Sequence, residues 1–182
     1  MRAKAHLLLS LAMAASSAWS QAAGAWIDVP FVGDRDQGCG AASILMVMEY
    51  WQRQLGRPSG ELPDLGQIEL ALLSPEARGI YASDLERYLR EHAFETRVFR
   101  GDDMLLEHHL RKGRPLIVAL KPTARPLLHY VVVAGIDPLE KVWLVNDPAE
   151  RKLLKIDSRD FLKKWQATDH WTLLAVPRSN AR

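Results

Sequence analysis

The sequence predicts an α+β fold in which an N-terminal helical half packs on a mostly antiparallel sheet. Helical patterns come first, because the apolar segment from Ala41 to Tyr50 predicts a helix from Cys39 to about Gln54, and further helical stretches follow. Strand patterns dominate from Pro115 onward, and the most β-prone run extends from Leu128 to Ile136. Such segregation of helices and strands along a chain is typical of α+β domains. A crevice between the two halves would have the first helix on one wall and strand residues on the other.

Each element has its own local signal. The segment 26–32 alternates as a short edge strand, and Pro30 argues against a central position in a sheet. The segment after Cys39 is too apolar for a surface helix and has the length of a buried one. Ser83 and Glu86, three residues apart, form the capping-box pattern of another helix. The other predicted elements are helices at 65–73, from Asp102 or Asp103 to Gly113 and at 158–165, and strands at 94–99, 115–120, 141–145, 152–156 and 171–176.

The N-terminus has the three parts of a secretory signal peptide. Arg2 and Lys4 precede an apolar run over residues 7–15, and small residues follow that run. The run is too short to span a membrane as a helix. We therefore expect a signal peptide over residues 1–22, cleaved near residues 20–25. The protein is then exported, either periplasmic or secreted, with no integral membrane segment after signal removal.

Composition and charge exclude several classes of function. The chain has 24 basic and 22 acidic residues, and its net charge of +2 comes from Arg2 and Lys4 alone. A neutral mature chain of about 160 residues is one domain, predicted over residues 26–178, and gives no electrostatic reason to expect nucleic acid as a partner. His108 and His109 are adjacent and do not share a helix face, and no further ligand stands at metal spacing nearby, so no metal site is expected. The sequence has no Gly-rich phosphate loop, and no other cofactor is expected. The oligomeric state is left open.

Cys39 is the only cysteine of the chain, and it lies between Gly38 and Gly40 where a polar loop enters the first helix. The unpaired N–H groups and the positive dipole end at a helix N-terminus favour thiolate over thiol. The flanking glycines lack a Cβ, so another chain can approach the sulfur closely. The alternative is a structural role, since most free cysteines are small buried hydrophobes.

His129 and Asp147 are the residues expected to act with this cysteine. His129 lies near the start of the most β-prone strand, and Asp147 begins the turn of a predicted hairpin. A nucleophilic cysteine needs a base to take its proton, and the base needs a third group to orient it. The oxyanion of the tetrahedral intermediate needs two donors, for which the Cys39 backbone N–H and the Gln37 side chain are the candidates. A core histidine, a turn aspartate and a solvated glutamine are the structural alternatives.

The sequence around these residues resembles the C39-type peptidases, which are papain-like cysteine peptidases. The resemblance rests on three blocks, Gln37–Ala42 (QGCGAA), Leu128–Gly135 (LHYVVVAG) and Val145–Pro148 (VNDP). It implies a papain-like fold and a polypeptide substrate. It also implies that Cys39 is the nucleophile, His129 the base and Asp147 the residue that orients the base.

Two departures from the family pattern bear on function. Family members usually carry an oxyanion glutamine five or six residues before the cysteine, where this chain has Asp34 and Gly33, and its glutamine is Gln37. Members that clip leader peptides are fused to transporters, whereas this chain resembles the stand-alone, exported members. Three functions stay open: a peptidase with a thioester intermediate, a transferase that passes the same acyl group to an amine, and a non-catalytic peptide-binding domain.

Overall fold

Five helices and seven strands form within the residues that a computed structural model describes, which are 24–34, 37–58, 62–122 and 127–179. The helices are α1 (Cys39–Gln54), α2 (Leu65–Leu72), α3 (Ala82–Glu91), α4 (Asp103–Arg111) and α5 (Ser158–Gln166). The strands are β1 (Ala25–Trp26), β2 (Phe94–Arg100), β3 (Leu116–Leu120), β4 (His129–Asp137), β5 (Val142–Asn146), β6 (Leu154–Asp157) and β7 (Trp171–Pro177).

The strands form one antiparallel sheet, as predicted. Its order is β2-β7-β3-β4-β5-β6, and β1 pairs with the C-terminal part of β4. β4 lies between β3 and β5, and its side chains alternate between the two faces of the sheet. Tyr130 and Val132 join the apolar cluster on one face, whereas Val131 and Val133 join the cluster on the other face.

Helices cover both faces of the sheet. The cluster that includes Tyr130 also contains Ile44 of α1, Ile68 of α2 and Leu85 of α3. The opposite cluster contains side chains of α4 and α5, among them Phe161. The predicted packing of the N-terminal helical half on the sheet is therefore confirmed for α1 to α3, whereas α4 lies on the opposite face with α5. The apolar stripe of a helix predicts where the helix begins and ends, but it does not predict which face of the sheet the helix covers.

α1 is buried for most of its length, which explains why its sequence is apolar on almost every side. Two aromatic side chains near its C-terminus fix it to distant segments. The Tyr50 hydroxyl donates to the carbonyl of Gly113 at 2.7 Å, and the Trp51 indole N–H donates to the carbonyl of Ala175 at 3.0 Å. The helix also packs along β4. These contacts hold α1, the helix that begins at Cys39, against the sheet.

Two local predictions are wrong. The first strand covers only Ala25–Trp26, because after Ile27 donates to Ala134 the chain leaves the sheet and Pro30 has no N–H to continue a ladder. The predicted capping box at Ser83 is also absent, since α3 starts earlier and its N-cap is Tyr81.

Tyr81 replaces Ser83 as the cap through its backbone. Its carbonyl accepts hydrogen bonds from the N–H groups of Asp84 and Leu85, so Ser83 lies inside the first turn. Glu86 accepts a hydrogen bond from Thr96 at 3.3 Å instead of closing a box. Glu86 therefore contributes to the contact between α3 and β2.

The predicted signal peptide over residues 1–22 lies outside the described residues. Within the described residues, no helix is both long enough and apolar enough to cross a bilayer.

Candidate active site

Cys39 is the first residue of α1, as the sequence predicts, and its side chain is half-buried. Gly38 is the N-cap and provides no side-chain cap, and its carbonyl accepts the hydrogen bond from the N–H of Ala42 at 2.9 Å. A Cβ added at Gly40 would lie 3.0 to 3.3 Å from the side chains of three buried neighbours: Leu85, Ile80 and Tyr130. The sulfur therefore lies on a helix end that packs closely against the chain around it.

His129 is the first residue of β4 and lies opposite Leu120 of β3. Its side chain is only 14% exposed, and its Nε2 lies 2.7 Å from Oδ1 of Asp147. An ionised carboxylate can only accept, so Nε2 carries the proton of this hydrogen bond. Nδ1 is then the nitrogen left for Cys39, which lines the same cleft as the imidazole.

Asp147 follows the last residue of β5 and is 11% exposed. Its Oδ1 also accepts a hydrogen bond from the N–H of Ala149 at 3.0 Å. Its own N–H donates to the carbonyl of Arg151 at 3.1 Å. The carboxylate is thus fixed by the hairpin turn in which it lies, and it presents one oxygen to His129.

The environment of His129 stabilises its protonated form. Burial alone would lower the pKa of the imidazole, because it disfavours the charged state. Hydrogen bonds to Asp147 and Cys39, together with the negative charges of both groups, outweigh burial and raise the pKa to about 9. A protonated imidazole between a carboxylate and a sulfur holds a proton that it can give to a leaving group.

Asn146 holds the turn of Asp147 to the segment that leads into α1. It is fully buried, and its side-chain N–H₂ donates to the carbonyls of Val29 and Pro30, each at 3.1 Å. Its Oδ1 accepts from the N–H of Leu153 at 3.0 Å. In the sequence, Asn146 stands out only as part of the VNDP block. A lone amide that ends an apolar strand was the signal for this positioning role.

A cleft of about 460 Å³ opens between the N-terminus of α1 and the start of β4. Cys39, His129 and Gln37 all line it, so the cleft brings together the predicted nucleophile, base and oxyanion candidate. The Gln37 side chain is exposed at the cleft surface. Ligand sites commonly enclose a few hundred Å³, so this cleft has the size of a peptide subsite.

Tyr130 is a cleft residue that the sequence analysis did not identify. Its hydroxyl donates to the carbonyl of Ile80 at 3.3 Å, and its ring meets Trp171 edge to face at 5.6 Å. Burial, and then the negative charge of Cys39, raise the pKa of its hydroxyl. Tyr130 therefore stays neutral beside the sulfur and joins the cleft to the core.

A second cleft, of about 390 Å³, lies on the other side of His129. Asp147 and Glu150 line it together with residues of β6 and α5. The imidazole of His129 therefore lines two concave surfaces. The described residues hold no cluster of three or more histidine, cysteine or acidic side chains placed to bind a metal ion.

Sequence comparison relates residues 20–172 to the model of the Peptidase_C39 like family. No relative was found among curated proteins. The fold matches the peptidase domain of Streptococcus ComA, a bi-functional ABC transporter involved in quorum sensing, with a TM-score of 0.65 and 20% identity over 83% of this chain and 100% of that one.

Two other solved structures are similar. A double glycine motif protease from an AMS/PCAT transporter, in complex with the leader peptide, has a TM-score of 0.63 and 22% identity over 84% of this chain and 94% of that one. A putative C39-like peptidase from Bacillus anthracis has a TM-score of 0.64 and 18% identity over 86% of this chain and 99% of that one. At these identities the likeness shows the fold, which is the papain-like fold that the sequence predicts.

Proposed function

Because the chain belongs to the peptidase C39-like family, we propose that it is a cysteine peptidase that hydrolyses peptide bonds through Cys39, His129 and Asp147. The observation that carries this proposal is the 2.7 Å hydrogen bond between His129 and Asp147 beside a cleft that Cys39 also lines. A sulfur, an imidazole and a carboxylate in series are the groups that acyl transfer to cysteine requires.

Acylation begins with the ion pair of a Cys39 thiolate and a His129 imidazolium. The sulfur attacks the carbonyl carbon of the scissile peptide bond and forms a C–S bond. His129 gives its Nδ1 proton to the leaving nitrogen, the C–N bond breaks, and a thioester on Cys39 remains. Asp147 keeps its hydrogen bond to Nε2 throughout and thereby holds the ring in one orientation.

The negative oxygen of the tetrahedral intermediate needs donors near the start of α1. The backbone N–H of Cys39 is one, because the first N–H groups of a helix have no intrahelical partner. The Gln37 side chain, two residues earlier and on the same cleft, is the second candidate. Asp34, at a position where family members usually carry glutamine, is acceptor-only when ionised and does not suit this role.

Deacylation reverses the roles of the same groups. Neutral His129 takes a proton from water at Nδ1, and the resulting hydroxide attacks the thioester carbonyl. The C–S bond breaks, the acid product leaves, and Cys39 returns to its thiolate beside a protonated His129. A polypeptide substrate is supported by the related double-glycine protease, whose solved structure contains a leader peptide.

We also propose that this reaction takes place outside the cytoplasm. The support is the signal pattern over residues 1–22, which has charged, apolar and small-residue parts in that order. Fractionation of cells expressing the full chain, with N-terminal sequencing of the product, tests this. We expect a shortened, exported protein that begins near residues 20–25, and an intact N-terminus in the cytoplasm would contradict the assignment.

The enzymatic proposal is tested by incubating the protein with a proteome-derived peptide library and identifying new termini by mass spectrometry. The wild-type protein should cleave peptides and become inactive after treatment with iodoacetamide. Cys39→Ala should abolish cleavage, and His129→Ala should reduce it at least about 1,000-fold. His108→Ala, at an exposed histidine of α4, serves as the matched control and should leave cleavage unchanged. Cleavage that survives in Cys39→Ala would overturn the proposal.

A further inference from the structure

A short turn closes one side of the active-site cleft. The N–H groups of Ser74 and Gly79 each donate to the other residue's carbonyl, which closes residues 75–78 into a loop. Inside the loop, the N–H of Arg78 donates to the carbonyl of Pro75 at 3.2 Å, and the N–H of Ala77 donates to the Ser74 hydroxyl at 3.3 Å. The turn is therefore held by its own hydrogen bonds, and Ala77, Arg78 and Gly79 line the cleft.

Arg78 has a backbone conformation that usually belongs to glycine. Its φ is +49°, in the left-handed region, where a residue with a Cβ is uncommon and costs of order 1 kcal/mol. The next residue, Gly79, would carry no such cost, yet the left-handed position is taken by a long cationic side chain.

The Arg78 side chain is exposed and lines the cleft. Within the described residues, no acidic side chain forms an ion pair with it. The two acids nearest to it in sequence are engaged elsewhere. Glu76 accepts a hydrogen bond from the Ser74 hydroxyl at 2.7 Å, and Asp84 pairs with Arg87 at 2.9 Å.

The rest of the cleft is mostly apolar. Leu127 and Leu128 line the side of β4, and Ile80 and Ala82 line the side of α3. His129 belongs to the catalytic pair, so Arg78 is the one remaining cationic side chain of this lining in the described part of the chain. An apolar wall with one cation at its rim is complementary to a peptide that has apolar side chains and a carboxylate.

We propose that Arg78 selects substrates with an acidic residue in the part of the peptide that occupies this cleft. The inference rests on the proposed peptidase function and names its substrate class: acidic, partly apolar peptides. Arginine binds a carboxylate through two parallel N–H donors, which fixes the orientation of the bound chain as well as its charge. Peptides with lysine or arginine at the same position are disfavoured, because two like charges would face each other at the rim.

The test compares cleavage-site profiles of the wild-type protein and Arg78 variants on the peptide library. Wild-type sites should be enriched in Asp and Glu at one fixed distance from the cleaved bond. A synthetic peptide from such a site, and its Gln or Asn counterpart, then give kcat/KM values. We expect Arg78→Gln to lower kcat/KM for the acidic peptide about threefold to tenfold, the range of a rim ion pair. It should change the value for the neutral peptide less than twofold, and Arg78→Glu should favour a lysine peptide.

Arg78→Gly separates selectivity from folding. Glycine adopts a positive φ without cost, so this variant should be at least as stable to urea as the wild-type protein, yet lose the acidic preference.

Arg97→Gln, at an exposed arginine of the edge strand β2, is the matched control and should keep the wild-type profile. An unchanged acidic preference in Arg78→Gln and Arg78→Gly, or no acidic preference in the wild-type protein, would overturn the inference while cleavage itself continued. Absence of any Cys39-dependent cleavage would instead overturn the proposed function.

Discussion

The two walls of the cleft are held in place by different interactions. The helix wall consists of Gly38, Cys39 and Gly40 at the start of α1, and the strand wall consists of His129 and Asp147. The helix wall has no side-chain cap, and its position depends on how closely neighbouring side chains approach two glycines. The strand wall depends on side-chain hydrogen bonds, one from the imidazole to the carboxylate and one from a turn N–H to the same carboxylate.

This difference predicts how each wall fails. Added volume should damage the helix wall, since the side chains around Gly40 are buried and close-packed. Loss of a polar atom should damage the strand wall, because a buried donor or acceptor without its partner costs about 1–3 kcal/mol. The comparison is tested by removing polar atoms from the strand wall and by adding a methyl group to the helix wall.

Asp147 carries the largest expected effect on the strand wall after the reactive groups themselves. Asp147→Ala should lower kcat/KM at least about 100-fold, because His129 loses both its orientation and the charge that favours its proton. Asp147→Asn keeps an oxygen acceptor for Nε2 and removes only the charge, so its loss should be smaller. Steady-state kinetics on one library-derived peptide measure both, and equal activity of all three proteins would contradict the role of the carboxylate.

The pH dependence provides a second measure of the same residue. With the pKa of His129 raised to about 9, the imidazolium that protonates the leaving nitrogen persists to that pH, so activity should fall on the alkaline side near pH 9. Asp147→Asn should move that fall to lower pH. For folding, a pKa raised above 6.5 adds stability that is fully present below pH 6.5 and is lost as pH rises through about 9. Urea midpoints between pH 6 and pH 9.5 should therefore decrease in the wild-type protein and decrease over a lower pH range in the variant.

These residues also show how far the sequence predicts the site. α1 was predictable from its long apolar run, and the turn at Asp147 from its Asp-Pro sequence, because both signals are local. The contact between His129 and Asp147 depends on the register of β4 and β5, which is a non-local property of the sheet. Sequence alone did not identify Arg78 or Leu128 as cleft residues, since both lie in short connecting segments that the fold brings together.

Asn146 should have the next largest effect, and it acts on stability as well as on alignment. Asn146→Ala removes the buried partner of two carbonyls and one N–H, so the free energy of unfolding should fall by about 2–4 kcal/mol. It should also shift the alkaline limb of activity to lower pH, since the turn that carries Asp147 loses its attachment. Thr172→Ala removes one hydrogen bond from an equally buried residue of β7 and is the control, with lower stability and an unchanged limb. If activity of Asn146→Ala fell at the same alkaline pH as that of the wild-type protein, Asn146 would have a purely structural role.

Gly40 gives the smallest expected effect and the sharpest test of the helix wall. Alanine normally stabilises a helix relative to glycine by up to about 1 kcal/mol. At Gly40, however, the new Cβ would lie 3.0 Å from Leu85 and 3.3 Å from Ile80 and Tyr130, so overpacking should reverse the sign and cost about 1–2 kcal/mol. Gly66 is the matched control, because it is also the second residue of a helix and its added Cβ meets only an atom of Asp64 at 3.5 Å.

The two glycine variants should therefore move in opposite directions. Gly66→Ala should raise the urea midpoint slightly and leave kcat/KM unchanged. Gly40→Ala should lower the midpoint and also lower kcat/KM several-fold, since Ile80 and Tyr130 line the cleft and must shift to admit the methyl group. If Gly40→Ala were as stable and as active as Gly66→Ala, close packing would not be what positions Cys39. The position of the sulfur would then depend on the helix backbone alone, and the contrast between the two walls would disappear.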